Sequence, residues 1–427
     1  MSARPLAPLD ASSRLRGIDV ARGIALLGIL LVNARFFFAP FGFAVDPSVA
    51  LDGSERQPAD AAAWALVEAF CSYKFISLFS MLFGFGLAMQ AARAREQGGS
   101  PWPMGLRRLG LLAAVGIIHW TLVWYGDILM IYALLGVVVL AATGLARRTV
   151  GLVCVGLSVL VGFIAVAGAA VSWLGLTMMA GQEVPPEIPA DALVKRGFDA
   201  MLAAKFSPYS PAWIEAEVVA FRDGPFLDAL LFRAVAYGFA FLVSLFTYGW
   251  QSLFMMLCGV YAFKAGLFGP EGSSVRRRLA LPLLGIGLAF SALAVLPSFV
   301  LGFDSVAARA MQGLFLSLGA MALPFAYAAI ILERAPQLPR VLATPLERAG
   351  RMSFTVYLGE SLVCTALASW WGFAWFGSID DVEAALIALA VWVALVAFAT
   401  LWLGFFRIGP FEWLWRRVTY STGPRTL

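Results

Sequence analysis

The chain has little charge, almost no histidine and no paired cysteines. Of its 427 residues, 13% are charged and 61% hydrophobic. Soluble globular domains carry roughly a quarter charged residues and about half apolar ones. That deficit excludes a large soluble enzyme, and the excess of apolar residues excludes a disordered chain. A single histidine, His119, excludes zinc sites built on two or three histidines, so no metal is expected. Cys71, Cys154, Cys258 and Cys364 each stand alone in an apolar run with no CxxC spacing, the pattern of small buried hydrophobes.

What remains is apolar sequence in long runs. A membrane helix needs about 20 mostly apolar residues. Ten segments qualify: 18–38, 64–90, 108–125, 128–145, 150–173, 245–266, 279–300, 310–332, 353–376 and 384–406. Segment 226–244, with Arg233 and Tyr237, reads as an interfacial or partly inserted helix. The expected fold is an all-α, polytopic transmembrane bundle forming one integral membrane domain over 1–427. With the N-terminus inside and the spans alternating, 22 of the 31 basic residues fall on the inner side. The inner set includes Arg4, Arg14, Arg93, Arg407, Arg416 and Arg425, while Asp46, Asp52, Asp191 and Asp199 fall outside. This bias places both termini in the cytoplasm and the chain in a bacterial inner membrane. The +5 net charge is then a topology signal, and no nucleic-acid partner is expected. The long connection 174–227, with Pro185, Pro186, Pro189, Pro208 and Pro211 among its residues, lies outside and reads either as a solvated connector or as a cap over the outer mouth.

Ionisable residues far from the ends of a membrane span cost about 2.5–3.5 kcal/mol on insertion scales and so mark candidate sites. His119 falls about 18 Å into the third span. It is either a general base or a neutral imidazole bonded to a backbone carbonyl. Asp127, in the turn Tyr125-Gly126-Asp127, either caps the next helix or orients a histidine or acceptor. Lys74, about 15 Å into the second span, requires a carboxylate or an aqueous cavity. Asn33 serves as interhelical glue or as a donor to an oxyanion. Asp19 and Arg22 share a helix face and can pair. Arg16, Arg22, Arg107, Arg108, Arg348 and Arg351 offer positive charge to phosphates or lipid headgroups. Glu360 is an intramembrane carboxylate, placed with Asp19 on a substrate pathway.

Several blocks carry a resemblance. They are LRGIDVARGIALLGILLVN from Leu15 to Asn33, KFISLFSMLFG from Lys74 to Gly84, and Ile118-His119 followed by WYGDIL from Trp124 to Leu129. Gly350-Arg351-Met352-Ser353 with Tyr357-Leu358, and GPFEWLWR from Gly409 to Arg416, complete the set. Together they resemble the YeiB-like family of bacterial membrane proteins, with Glu360 standing where the resemblance leads one to expect glutamine. More distantly, Asp19, Arg22-Gly23 and Asn33 are similar to the first span of a transmembrane acyltransferase superfamily that includes heparan-glucosaminide N-acetyltransferase. That likeness implies transfer of an acyl group from cytoplasmic acyl-CoA or acetyl-CoA to an acceptor at mid-membrane or the far face, with Asn33 a site residue. The superfamily's histidine follows the first span, whereas here His119 lies on another helix. The expected partners are membrane lipids, acyl-CoA, an unknown acceptor and, as a homodimer, a second copy. Two other readings stay open: a transporter for a small metabolite or lipid precursor, lined by Lys74, Glu360 and Asp127, and a non-catalytic scaffold.

Overall fold

The computed structural model describes residues 16–45, 57–179, 210–246 and 248–419. Arg4, Arg14, Asp46, Asp52, Asp191, Asp199, Arg425 and most of the 174–227 connection lie outside them. The described residues form helices and turns, with no strand among them. Lipid offers no hydrogen bonds, so every spanning backbone group must be satisfied within a helix or by a neighbour.

The first half comprises α1 (Arg16–Phe38), α2 (Phe41–Val45), α3 (Pro58–Phe70), α4 (Lys74–Glu96), α5 (Trp102–Ile118), α6 (Leu129–Ala142) and α7 (Arg147–Met179). A middle group holds α8 (Pro211–Val218), α9 (Phe226–Leu231), α10 (Tyr237–Phe246) and α11 (Tyr248–Lys264). The second half comprises α12 (Ser273–Leu301), α13 (Val306–Gly319), α14 (Leu323–Arg334), α15 (Arg340–Arg351), α16 (Ser353–Ala368), α17 (Asp381–Phe405) and α18 (Pro410–Thr419). Seven helical stretches among the described residues are long and apolar enough to cross a membrane, and α6 and α16 are shorter apolar helices. Each of the ten expected spans corresponds to a helical stretch. The 226–244 segment becomes α9, a π-turn over Phe232–Ala236 and α10.

Two expected spans are interrupted. The second breaks at Cys71–Tyr73, where Tyr73 adopts a left-handed φ of 62°, and 310–332 breaks at Ala320–Ala322. A break at membrane depth frees the last carbonyls of the preceding helix. At the end of α3 every one of them is taken. Val67 accepts from the Cys71 and Ser72 backbone, Glu68 from Lys74 Nζ, Ala69 from Ser291 Oγ and Phe70 from the Tyr327 hydroxyl. At the second break, Gln251 Nε2 donates to Ala320 O at 2.9 Å. Lys74 is therefore the first residue of a new helix and not a side chain midway along one. Its ammonium sits against the negative end of the α3 dipole.

The core is built on α4 crossing α11 at backbone contact. A Cβ at Gly84 would overlap the carbonyl of Met256, and one at Gly259 would overlap that of Met81. The α1 helix packs the same way on α15, where a Cβ at Gly350 would overlap the Asp19 carbonyl. At the other end of α1, the described end of the 174–227 connection packs down. Trp213 of α8 and Phe221 join a cluster with Phe37, Phe38 and Phe376, and the Glu217 carboxylate accepts from the Phe41 backbone at 3.2 Å.

Candidate functional site

The last turn of α5 widens into a π-turn over His119–Val123, a distortion frequently found at functional sites. It brings His119 back over the turn before α6. His119 Nδ1 lies 3.0 Å from Asp127 Oδ1, and the second oxygen of Asp127 accepts from the Met130 backbone at 3.0 Å. Asp127 thus does both things the sequence allowed: it caps α6 and holds the imidazole. Both side chains are buried, at 3% and 1% exposure. With Nδ1–H donating to the carboxylate, Nε2 carries the lone pair. That Nε2 is buried and has no hydrogen-bond partner. The ring of Tyr357, on α16, stands 5.5 Å from the imidazole.

A cavity of about 390 Å³ approaches this pair. One end of it is ringed by Arg22, Arg93, Arg108, Arg351, Arg407 and Arg416, with Glu412 as its carboxylate. Its walls are apolar and include Leu26, Ile29, Phe79, Phe83, Leu109 and Leu112. Its deep end is closed by Ile128, Leu129, Tyr132 and Tyr357. Ile128 directly follows Asp127, and Tyr357 separates the cavity from His119. Along α4 the lining runs from Ile76 to Arg93, about 26 Å at 1.5 Å per residue. That approaches the roughly 30 Å of a bilayer's hydrocarbon core.

The mouth is held open by its own contacts. Glu412 of α18 accepts from the Phe354 and Thr355 backbone at 2.9 and 3.0 Å, occupying the N-terminus of α16. Burial pushes the Glu412 carboxyl up from its ordinary value, and the hydrogen bonds from Thr355 and Phe354 pull against that. Asp19 is buried and pairs with Arg22 at 3.2 Å, fixing that guanidinium at the rim.

The expected residues divide. His119, Asp127, Arg22, Arg108 and Arg351 lie at the cavity or directly behind it. Asn33 does not line it, but 22, 26, 29 and 33 fall on one stripe of α1, so Asn33 is the next position past Ile29. Glu360 is 2% exposed, one turn beyond Tyr357. Arg16 pairs with Glu347 at the surface, its side chain 68% exposed. Arg107 is exposed and off the lining, and Arg348 donates to the Thr400 carbonyl. Lys74 belongs to the helix break and not to the dyad.

The cavity also holds residues that the sequence does not single out as a site, among them Arg93, Arg407, Arg416, Glu412 and Tyr357. Arg93 continues the α4 stripe Phe79, Phe83, Gly86 and Gln90 at helical spacing, a signal present in the sequence. Arg35 was also passed over. It is buried at the far end of α1, between Glu68 at 2.9 Å and Asp381 at 2.9 Å. This network ties α1 to α3 and α17, and breaking a buried pair leaves an uncompensated charge costing about 3–5 kcal/mol.

Spanning apolar helices around a basic-mouthed cavity that ends beside a buried His–Asp pair define a polytopic membrane protein with a built internal site. The chain belongs to the YeiB-like family. It is 31% identical over 415 residues to the "Uncharacterized protein YeiB" of Escherichia coli (strain K12), covering 95% of this chain and 97% of that one. It is 30% identical over 425 residues to the "Uncharacterized protein YxaH" of Bacillus subtilis (strain 168), covering 97% and 96%. An "Uncharacterized 39.9 kDa protein in amylase 3'region" of Bacillus acidopullulyticus is 26% identical over 416 residues, covering 97% and 96%. Residues 262–422 match the family model "Protein of unknown function (DUF418)".

Proposed function

We propose that the protein is an acyltransferase of the bacterial cytoplasmic membrane that takes its acyl group from acyl-CoA entering at the arginine mouth. The observation that carries this is the cavity itself, which runs from six arginines to the residues flanking His119 and Asp127. The arginines suit the phosphates of a nucleotide, which planar guanidinium groups bind in bidentate fashion. The apolar slot suits the pantetheine arm. That arm spans roughly twelve bonds from phosphate oxygen to sulfur, about 14 Å when extended. Arg108 and His119 are eleven residues apart on one helical run, about 17 Å. A thioester anchored at the mouth therefore arrives at Tyr357, within reach of the dyad once the arginine side chain is counted.

The chemistry follows from the dyad. His119 Nε2 takes the proton from an acceptor hydroxyl, and that oxygen attacks the thioester carbonyl carbon. Asp127 holds the imidazolium that forms. The C–S bond then breaks, and the departing thiolate takes the proton from Nε2. Asn33 is the candidate donor to the oxyanion; Lys74 is spent on the Glu68 carbonyl at the end of α3.

Acetyl-CoA binding to purified protein in nanodiscs tests the donor site. Charge-assisted hydrogen bonds are worth about 1.5–3 kcal/mol, so Arg108→Gln and Arg351→Gln should each raise Kd about 10- to 100-fold. Kd values unchanged in both variants, or no binding to the wild type, would remove this reading.

The interrupted helices favour a second reading, since transporters build midplane sites from such breaks. Here the α3 carbonyls are already capped by the protein's own side chains. Solute uptake into proteoliposomes without any acyl donor would support transport instead.

A further inference from the structure

Past the cavity's closed end, two of the helical stripes that line it continue into polar residues. On α1 the stripe Arg22, Leu26, Ile29 continues to Asn33. On α16 the lining residues Ser353 and Tyr357 are followed at helical spacing by Glu360 and Cys364. Both helices pack together here, with Cys364 in one cluster with Leu30, Ala34 and Trp124.

Beside Tyr357, His119 Nε2 and, one turn further along α16, Glu360 Oε1 have no hydrogen-bond partner. Their residues are 3% and 2% exposed. An unpaired buried polar group is costly, and a carboxyl at membrane depth more so. Such groups call for an occupant that supplies the missing hydrogen bonds.

We propose that these residues form the acceptor's binding site, and that the acceptor is a small compound bearing at least two hydroxyl groups. One hydroxyl donates to His119 Nε2 and is the nucleophile. A second donates to Glu360. The site lies on the opposite side of Tyr357 from the donor cavity, so donor and acceptor meet at the dyad from two directions. A greasy acceptor would leave Glu360 unpaired, whereas a hydroxylated one satisfies it. The assignment of these residues to an acceptor rests on the acyl-transfer reading.

A polar site must admit water and small solutes, and the native cysteines report on this without any substitution. By exposure alone Cys364, at 0%, should react more slowly than Cys71 at 8% or Cys154 at 9%. If the site is real, Cys364 reacts faster. The probe is 2-(trimethylammonium)ethyl methanethiosulfonate, a small water-soluble cation, added to folded protein in nanodiscs. Modification is followed by mass spectrometric peptide mapping. The expected result is modification of Cys364 at least tenfold faster than of Cys71, with a severalfold loss of that rate in Glu360→Gln. Cys364 reacting no faster than Cys71 would overturn the proposal. Acetyl-CoA binding measured on the same preparation separates the two ideas. Failure to bind acetyl-CoA removes the donor reading, while the rank order of the cysteines still decides whether a polar site exists.

Discussion

His119→Ala should lower acyl transfer from acetyl-CoA by 10²- to 10⁴-fold, about the contribution of a positioned general base, while leaving acetyl-CoA binding within about twofold of wild type. The separation of the two effects is the informative part. His119 stands behind Tyr357 and does not line the donor cavity, so its removal leaves the arginine mouth and the apolar walls intact. Asp127→Asn should also reduce transfer, through loss of the charge that stabilises the imidazolium. It keeps an oxygen for the Met130 backbone, so the start of α6 should survive. Release of free CoA thiol checks both variants. Wild-type turnover in His119→Ala would end the proposed chemistry, whatever the binding data show.

The second large effect concerns the fold. Gly84→Ala should abolish most of the folded protein, and Gly259→Ala should do the same. At both positions the added Cβ meets a carbonyl on the facing helix, and a backbone atom cannot rotate away as a side chain can. Overpacking usually costs about 1–3 kcal/mol and sometimes more. Here α4 and α11 would have to separate along a core seam, which places the cost at the upper end. The wall of the cavity on α4, from Ile76 to Arg93, would shift with it. Size-exclusion profiles of a fluorescent fusion, followed by thermal unfolding in detergent, read this out. A monodisperse Gly84→Ala protein with an unchanged Tm would contradict the close crossing. Gly156→Ala, where the added Cβ meets nothing, should behave as wild type.

The apolar runs made the helices readable, because membrane length and hydropathy are properties of composition. The breaks were hidden because hydropathy averaged over a whole span hides short signals. The polar run Ser72-Tyr73-Lys74 lies at the first break, and Gly319 and Pro324 flank the second at Ala320–Ala322. The clearest signal at the first break was Lys74. It was read as a deep charge needing a partner, and it proved to cap the helix that ends before it. His119 and Asp127 were legible because few polar residues occupy the spans and these two are only eight residues apart. Their pairing depended on the π-turn, which no spacing rule announces. The mouth was half legible. Arg22, Arg108 and Arg351 came from an abundance of arginines on one side. Arg16, Arg107 and Arg348 came from the same abundance and point elsewhere, since charge counting along a topology cannot say which way a side chain turns. Arg35 was hidden because its partners, Glu68 and Asp381, lie on helices distant in sequence.

The most direct measurement is photocrosslinking with an acyl-CoA whose acyl group carries a diazirine. If the thioester lies against the dyad, the label should attach to Tyr357, Ile128 or Leu129 at the deep end of the cavity, and excess CoA should suppress it. Labelling confined to lipid-facing positions of α7 such as Val159 and Phe163, unaffected by CoA, would contradict an acyl donor in this cavity.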